Sequence, residues 1–436
     1  MSTSGNSTPG RYEWIRIAES SDHFVQGKKK YFFLADTVWM AFLNCDSMED
    51  WEEYLDFRAQ QGFNVLQMQC IPSTHDTSES PSSLFPFPSR PGGELDFGRL
   101  SDAYFKRAVE MMDLAKARGF IPAFGILWCN WVPGTWAAKM SPRTAMPFEN
   151  AKSYIREAVK TFAPYQPLYL ASGDTRFDSP EETRYYRMVL EEIKATDPQA
   201  LTTMHLSPEG ILPDEFVRSK HLDFYMYQSG HHVEHPERPY ALAQDFLAKP
   251  VKRPIVNGEP PYEGHGHGFR YGRFSSFEVR RAIWQSLLSG AKAGVTYGAH
   301  GIWMWHRKGM RFTSEQFSGL PFQWRTAMRL PGAWDAGLAR RIFEQHDLFE
   351  LEPCAIVRNE KPGIRASAAP DGSTIAVYIP FATQLELAVD LAGYDVQLIN
   401  LAEREWVTPE VECGTGSSTV RMADFNADGL LIARKR

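Results

Sequence analysis

At 436 residues the chain has room for two or three domains. Its 43% apolar and 23% charged residues are those of a soluble globular protein. A net charge of −6, with Lys28-Lys29-Lys30 too short for a basic footprint, excludes a nucleic-acid-binding face, and no run nears the ~18 apolar residues of a membrane helix. Five scattered cysteines (Cys45, Cys70, Cys129, Cys354 and Cys413), with no Cys-x-x-Cys pair, specify neither a zinc site nor a disulfide framework.

Residues 1–10 are polar and are expected to be disordered, with no apolar signal segment behind them, so a cytoplasmic location is expected. His23 to Asp36 reads as a hairpin turning at Gly27, its second arm Tyr31–Ala35 forming the first buried strand. Regular alternation follows. Ser47 caps a helix to Gln61, followed by a strand at 64–70; Ser101 caps a helix to Arg118, followed by a strand at 121–127. A helix over 149–162 precedes an apolar run ending at Asp174, and a helix over 183–196 precedes a strand at 201–205. A sixth strand runs 222–228, a seventh ends at Glu259, and a capping box at Ser275-x-x-Glu278 opens a helix to Leu288. The eighth strand is read over 294–303, before a last helix at 333–345. Eight apolar runs with helices between them predict a (β/α)₈ TIM barrel over residues 11–349. Beyond 350 the pattern changes to short alternating segments and an Asp371-Gly372 turn, which predicts a small antiparallel β-sandwich over 350–436.

A parallel barrel places its chemistry at the carboxyl ends of its strands, and there Asp174 and Glu259 form a pair of acids. Asp174 could cap the next helix. That helix, however, has its own cap in Ser179-Pro180-Glu181-Glu182, which leaves the Asp174 carboxylate for the pocket. Glu259, ahead of Pro260-Pro261, could instead pair with Arg270 or Arg273, and Glu263 is its rival as nucleophile. Asp36 could bind sugar hydroxyls or hold the barrel mouth together by accepting backbone N–H bonds. Histidines crowd the same rim (His205, His231, His232, His265, His267 and His300), a set that suits a metal-dependent hydrolase or a hydroxyl-binding site. No helical His-Glu-x-x-His is present. Trp128, Trp131, Tyr227 and Trp303 fall at strand ends or just beyond, where aromatic faces can stack on sugar C–H groups.

Several ordered segments resemble the apiosidase-like catalytic domain, glycoside hydrolase family 140, whose members carry a C-terminal domain described as collagen-binding. These are Phe33–Trp39, Gln61–Leu66, Ser172-Gly173-Asp174, Thr203-Met204-His205, Gln228–His231, Asn257–Glu263 and Tyr297–Trp303. The chain departs from the usual pattern at Ala35 and Ser172, where glycine is common, and keeps the acids. The resemblance implies a retaining mechanism with the acid/base at strand four and the nucleophile at strand seven, positions that match Asp174 and Glu259. It further suggests an apiose-like furanosidic sugar. The expectation is an exo-acting glycoside hydrolase that releases a terminal sugar from an oligosaccharide or small glycoside, without metal or cofactor. Asp36, Trp128, His205, Tyr227, Gln228, His231, Tyr262, Glu263, His300 and Trp303 are its expected substrate-binding residues. A metal-dependent barrel hydrolase and a non-catalytic carbohydrate-binding protein are the alternatives.

Overall fold

The computed structural model describes residues 13–80, 83–422 and 427–436. The expected disorder of residues 1–10 lies outside them. Eight parallel strands form the central sheet: β1 (Phe33–Thr37), β2 (Val65–Gln69), β3 (Ile121–Gly125), β4 (Leu168–Leu170), β5 (Thr202–Thr203), β6 (Tyr225–Gln228), β7 (Ile255–Glu259) and β8 (Gly294–Tyr297). They are buried throughout, as parallel strands covered on both faces must be. β8 pairs with β1, and the seam between β5 and β6 is spanned by Asp223 N–H to the Thr202 carbonyl (2.9 Å) and Thr203 Oγ1 to the Phe224 carbonyl (2.7 Å). The sheet is therefore a TIM barrel.

Around it lie α1 (Met48–Gln61), α2 (Asp102–Ala117), α3 (Phe148–Phe162), α4 (Pro180–Thr196), the single turn α5 (Asp214–Val217), α6 (Arg238–Leu247), α7 (Ser276–Leu287) and α8 (Gly332–Gln345). The expected caps form: Ser47 and Ser101 accept the third helical N–H at 3.1 and 3.4 Å, and Ser275 with Glu278 closes the capping box. The sequence reading assigns no helix between strands five and seven, where α5 and α6 lie. The hairpin expectation is also corrected. Phe24–Gln26 pairs with Lys29–Tyr31 in a separate three-stranded sheet, and β1 begins only at Phe33. Phe24 packs edge-on to Phe224 (5.2 Å) and near Phe33 (6.4 Å), residues at the starts of their strands, so it plugs the barrel floor. β8 stops at Tyr297 rather than Trp303, because Gly298 lies against the Tyr262 ring and Gly301 takes φ +134°.

From Glu352 the strands are antiparallel, in a six-stranded and a three-stranded sheet. In Thr374–Ile379, residues Ile375, Val377 and Ile379 face the sandwich core, while Ala376 and Tyr378 join the barrel's core. The strand Gly429–Lys435 splits the same way between Leu431/Ala433 and Leu430/Ile432. Period-two alternation thus gives this sheet two apolar faces, one of which seals it to the barrel. Arg280 of α7 ties the junction by ion pairs to Asp428 (2.7 Å) and Asp335 (3.0 Å).

Candidate active site

The chain leaves β4 through Ala171-Ser172-Gly173, and the Trp128 indole lies directly on Gly173: a Cβ there would sit 1.9 Å from Cε3. Asp174 follows in the left-handed region at φ +50°, a strained conformation that Asp tolerates better than most residues. Trp136 Nε1 donates to its carbonyl (3.0 Å), and Ser172 Oγ donates to the His205 carbonyl (3.0 Å). Across the barrel, β7 bulges between Asn257 and Glu259. The Asn257 amide donates to Ser229 Oγ (2.9 Å) and Ser286 Oγ (3.0 Å), fixing the turn that aims Glu259 inward.

His205, fully buried, stands between the two acids. Its Nδ1 accepts the Asp174 N–H (3.5 Å) and lies 4.0 Å from Oδ1; its Nε2 lies 3.3 Å from Glu259 Oε2. His231 repeats the device, Nδ1 accepting the Tyr262 N–H (3.2 Å) and Nε2 meeting Glu259 Oε1 (3.0 Å), where Gln228 Nε2 also donates (2.7 Å). An imidazole nitrogen that accepts a backbone N–H carries no proton, so each ring points its own N–H at Glu259.

The two carboxyls are driven apart. Burial, then the nearby Glu259 charge, pushes Asp174 up to about 7. Its Oδ1 is sealed from solvent without a hydrogen-bond partner, although 24% of the side chain remains open. Burial would raise Glu259 too, but hydrogen bonds from His205 and His231 outweigh it and hold the group at about 2. One acid is poised to give a proton while its neighbour stays ionised. Oxygens of Asp174 and Glu259 lie within 4.8 Å of each other.

Both acids line a cavity of about 310 Å³, walled also by Trp128, Gln228, His231, Tyr262 and Trp303. Five expected substrate-binding residues do not line it: His205 is fully buried between the acids, and four others lie elsewhere. Asp36 is sealed beneath, its Oδ2 bound by Arg58 Nε and Tyr54 Oη, each at 2.6 Å. Tyr227 points outward, donating to the Pro239 carbonyl (2.8 Å) and stacking on Phe246. Glu263 accepts from Tyr297 Oη (2.7 Å) and the Gly332 N–H (2.8 Å). His300 Nε2 is engaged by the Gly319 carbonyl (2.8 Å). The cavity also takes residues that the sequence reading does not single out: Trp39, whose Nε1 donates to Tyr262 Oη (3.0 Å), and Asp76, His75, Trp136 and Arg176. Asp76 lies in the irregular stretch after strand two, where nothing in the sequence pattern marks it.

Among the described residues, Asp174, His205 and Glu259 are the one group close enough to hold a metal ion. With Nδ1 taking the amide N–H, however, His205 Nε2 keeps its proton and offers a cation no lone pair. No helix of the described residues is long and apolar enough to cross a membrane.

Known proteins share this fold. The apiosidase-like catalytic domain family matches residues 19–350, more than half the chain. No curated protein matches in sequence. Among solved structures, a glycoside hydrolase superposes with a TM-score of 0.80 at 18% identity, covering 97% of both chains. A glycoside hydrolase family 5 protein from Bacteroides vulgatus superposes with a TM-score of 0.78 at 17% identity, over 97% of this chain and 93% of the other. The chain belongs to the apiosidase-like family and is a glycoside hydrolase.

Proposed function

We propose that the enzyme is an exo-acting, retaining glycosidase that removes a terminal sugar, furanosidic and apiose-like, from an oligosaccharide or small glycoside. The observation that carries the reading is the pair Asp174 and Glu259, oxygens within 4.8 Å, one carboxyl held neutral and the other ionised. Carboxyl groups ~5–5.5 Å apart leave room for direct attack on the sugar, whereas inversion needs roughly 6.5–9.5 Å to seat a water. A cavity of about 310 Å³, at the small end for ligand pockets, supports a terminal unit over a long chain.

Glu259 attacks the anomeric carbon as Asp174 gives its proton to the leaving oxygen; the glycosidic C–O bond breaks and a glycosyl ester forms on Glu259. Asp174, now ionised, takes a proton from water, which attacks the same carbon and frees Glu259. His231 and Gln228 hold Glu259 Oε1, His205 Nε2 stands 3.3 Å from Oε2, and the Trp128 indole packs on Gly173 beside Asp174. Turnover of a 4-nitrophenyl glycoside panel, furanosides included, tests the reading. Hydrolysis by the wild type, lost in Glu259→Gln and slowed in Asp174→Asn without change in the melting curve, is expected. Near-wild-type rates in either variant would remove that residue from the mechanism.

A further inference from the structure

Besides the catalytic pair, two more carboxylates border the cavity: exposed Glu209, which is paired with Arg238 (3.2 Å), and Asp76. Asp76 sits in the loop after β2, and that loop is fastened at several points. Gln69 Oε1 accepts the Ser73 N–H (2.7 Å), and Ser73 Oγ reaches the Asp76 carbonyl (3.5 Å). Thr77 N–H donates to Thr313 Oγ1 (2.9 Å), Thr313 N–H returns to the Thr77 carbonyl (3.1 Å), and Glu79 N–H donates to the Arg311 carbonyl (2.8 Å). Ser78 bridges Phe312 backbone to backbone and meets His306 Nδ1 at 2.8 Å. So many ties to the segment after β8 leave Asp76 little freedom.

The carboxylate they position is incompletely served. Ser314 lies beside it, yet Oδ1 is shut off from solvent and has no hydrogen-bond partner. Neighbouring His75 Nδ1 and Thr74 Oγ1 are also buried without partners, and His75 is held edge-on against Trp136 at 4.9 Å. A buried acceptor left open costs stability, so the carboxylate is held short of partners at one oxygen while Asp76 lines the same cavity as Glu259 and His231.

Resting on the glycosidase reading of this cavity, we propose that Asp76 is a specificity-determining residue: its carboxylate accepts a hydrogen bond, on the oxygen that is not sealed, from one hydroxyl of the terminal sugar. A site built around an acceptor rejects a ligand that lacks the matching donor far more strongly than an apolar wall rejects an extra group. Asp76 thereby selects a sugar with a hydroxyl directed toward β2, while Glu259 and Asp174 perform the chemistry.

The test takes the 4-nitrophenyl glycoside hydrolysed fastest by the wild type and its monodeoxy analogues, one per hydroxyl. The wild type should lose roughly 10- to 100-fold in kcat/KM on one analogue. Asp76→Ala should lose a similar factor on the parent, treat parent and that analogue alike, and keep wild-type discrimination at the other positions. Asp76→Asn, of the same shape, guards against misfolding of the alanine variant and should level the same pair more weakly. Unchanged kcat/KM on the parent, or a wild-type pattern of discrimination at every position in both variants, overturns the assignment. Should the wild type hydrolyse no glycoside, the glycosidase reading fails by itself. Calorimetric binding of the methyl glycosides and their monodeoxy analogues to wild type and Asp76→Ala then decides Asp76: levelled affinities support it, and unchanged ones overturn it.

Discussion

Asp36 and the pair Asp174/Glu259 all belong to the carboxyl ends of barrel strands, yet they end in opposite conditions. Asp36 faces α1, where Arg58 supplies a full positive charge and Tyr54 a hydroxyl, both at 2.6 Å on the same oxygen, and Arg58 is itself tied to Gln61 and the Met328 carbonyl. The result is a rivet between strand, helix and the loop before α8. Asp174 and Glu259 meet no cation. Their company is one another, two imidazoles and an indole, so their charge states are divided between them rather than cancelled. A carboxylate at a strand end is reactive or structural according to the partner that its neighbours supply, not according to its place in the barrel.

That contrast can be broken at several points. Glu259→Gln should abolish turnover by roughly 10⁴-fold or more with the fold intact, since a nucleophile has no substitute. Asp174→Asn should cost ~10²–10⁴-fold in kcat/KM on glycosides with poor leaving groups and much less on 2,4-dinitrophenyl glycosides, whose departure needs no proton. The wild-type kcat/KM should fall as pH rises through about 7, where Asp174 loses the proton it must donate, and this alkaline limb should vanish in Asp174→Asn. Asp36→Asn should do the reverse. Unpairing buried Arg58 should cost about 3–5 kcal/mol in denaturant unfolding, while activity per folded molecule stays near wild type.

The smallest effect belongs to Glu263, which burial pushes up to about 7. A folded value above the unfolded one, near ~4.3, means the contribution to stability is complete below ~4.3 and declines as pH rises through about 7. Glu263→Gln should flatten that part of the stability profile and leave the rate at pH 6 little changed. A large loss of rate would put Glu263 back in contention as nucleophile.

Much of the barrel was legible because its strands are short, apolar and separated by capped amphipathic helices. The misreadings have local causes. Two glycines and a turn end β8 early, α5 is a single turn, and the hairpin and β1 run together as one apolar stretch (Tyr31–Ala35). Asp174 and Glu259 stood out because a charge ends each apolar run. The direction of a side chain was harder to read. Gln228 and Tyr227 are adjacent on β6, and the pleat sends the first to Glu259 and the second out to Phe246. Asp76 escaped notice because it lies in an irregular loop, whose path depends on distant contacts with Arg311 and Thr313.

Proton NMR of the first sugar released, recorded before mutarotation, tests the central claim most directly. Release of the anomer with the substrate's own configuration is expected from two carboxylates sharing one short gap. First appearance of the opposite anomer would require a water between them and would contradict attack by Glu259.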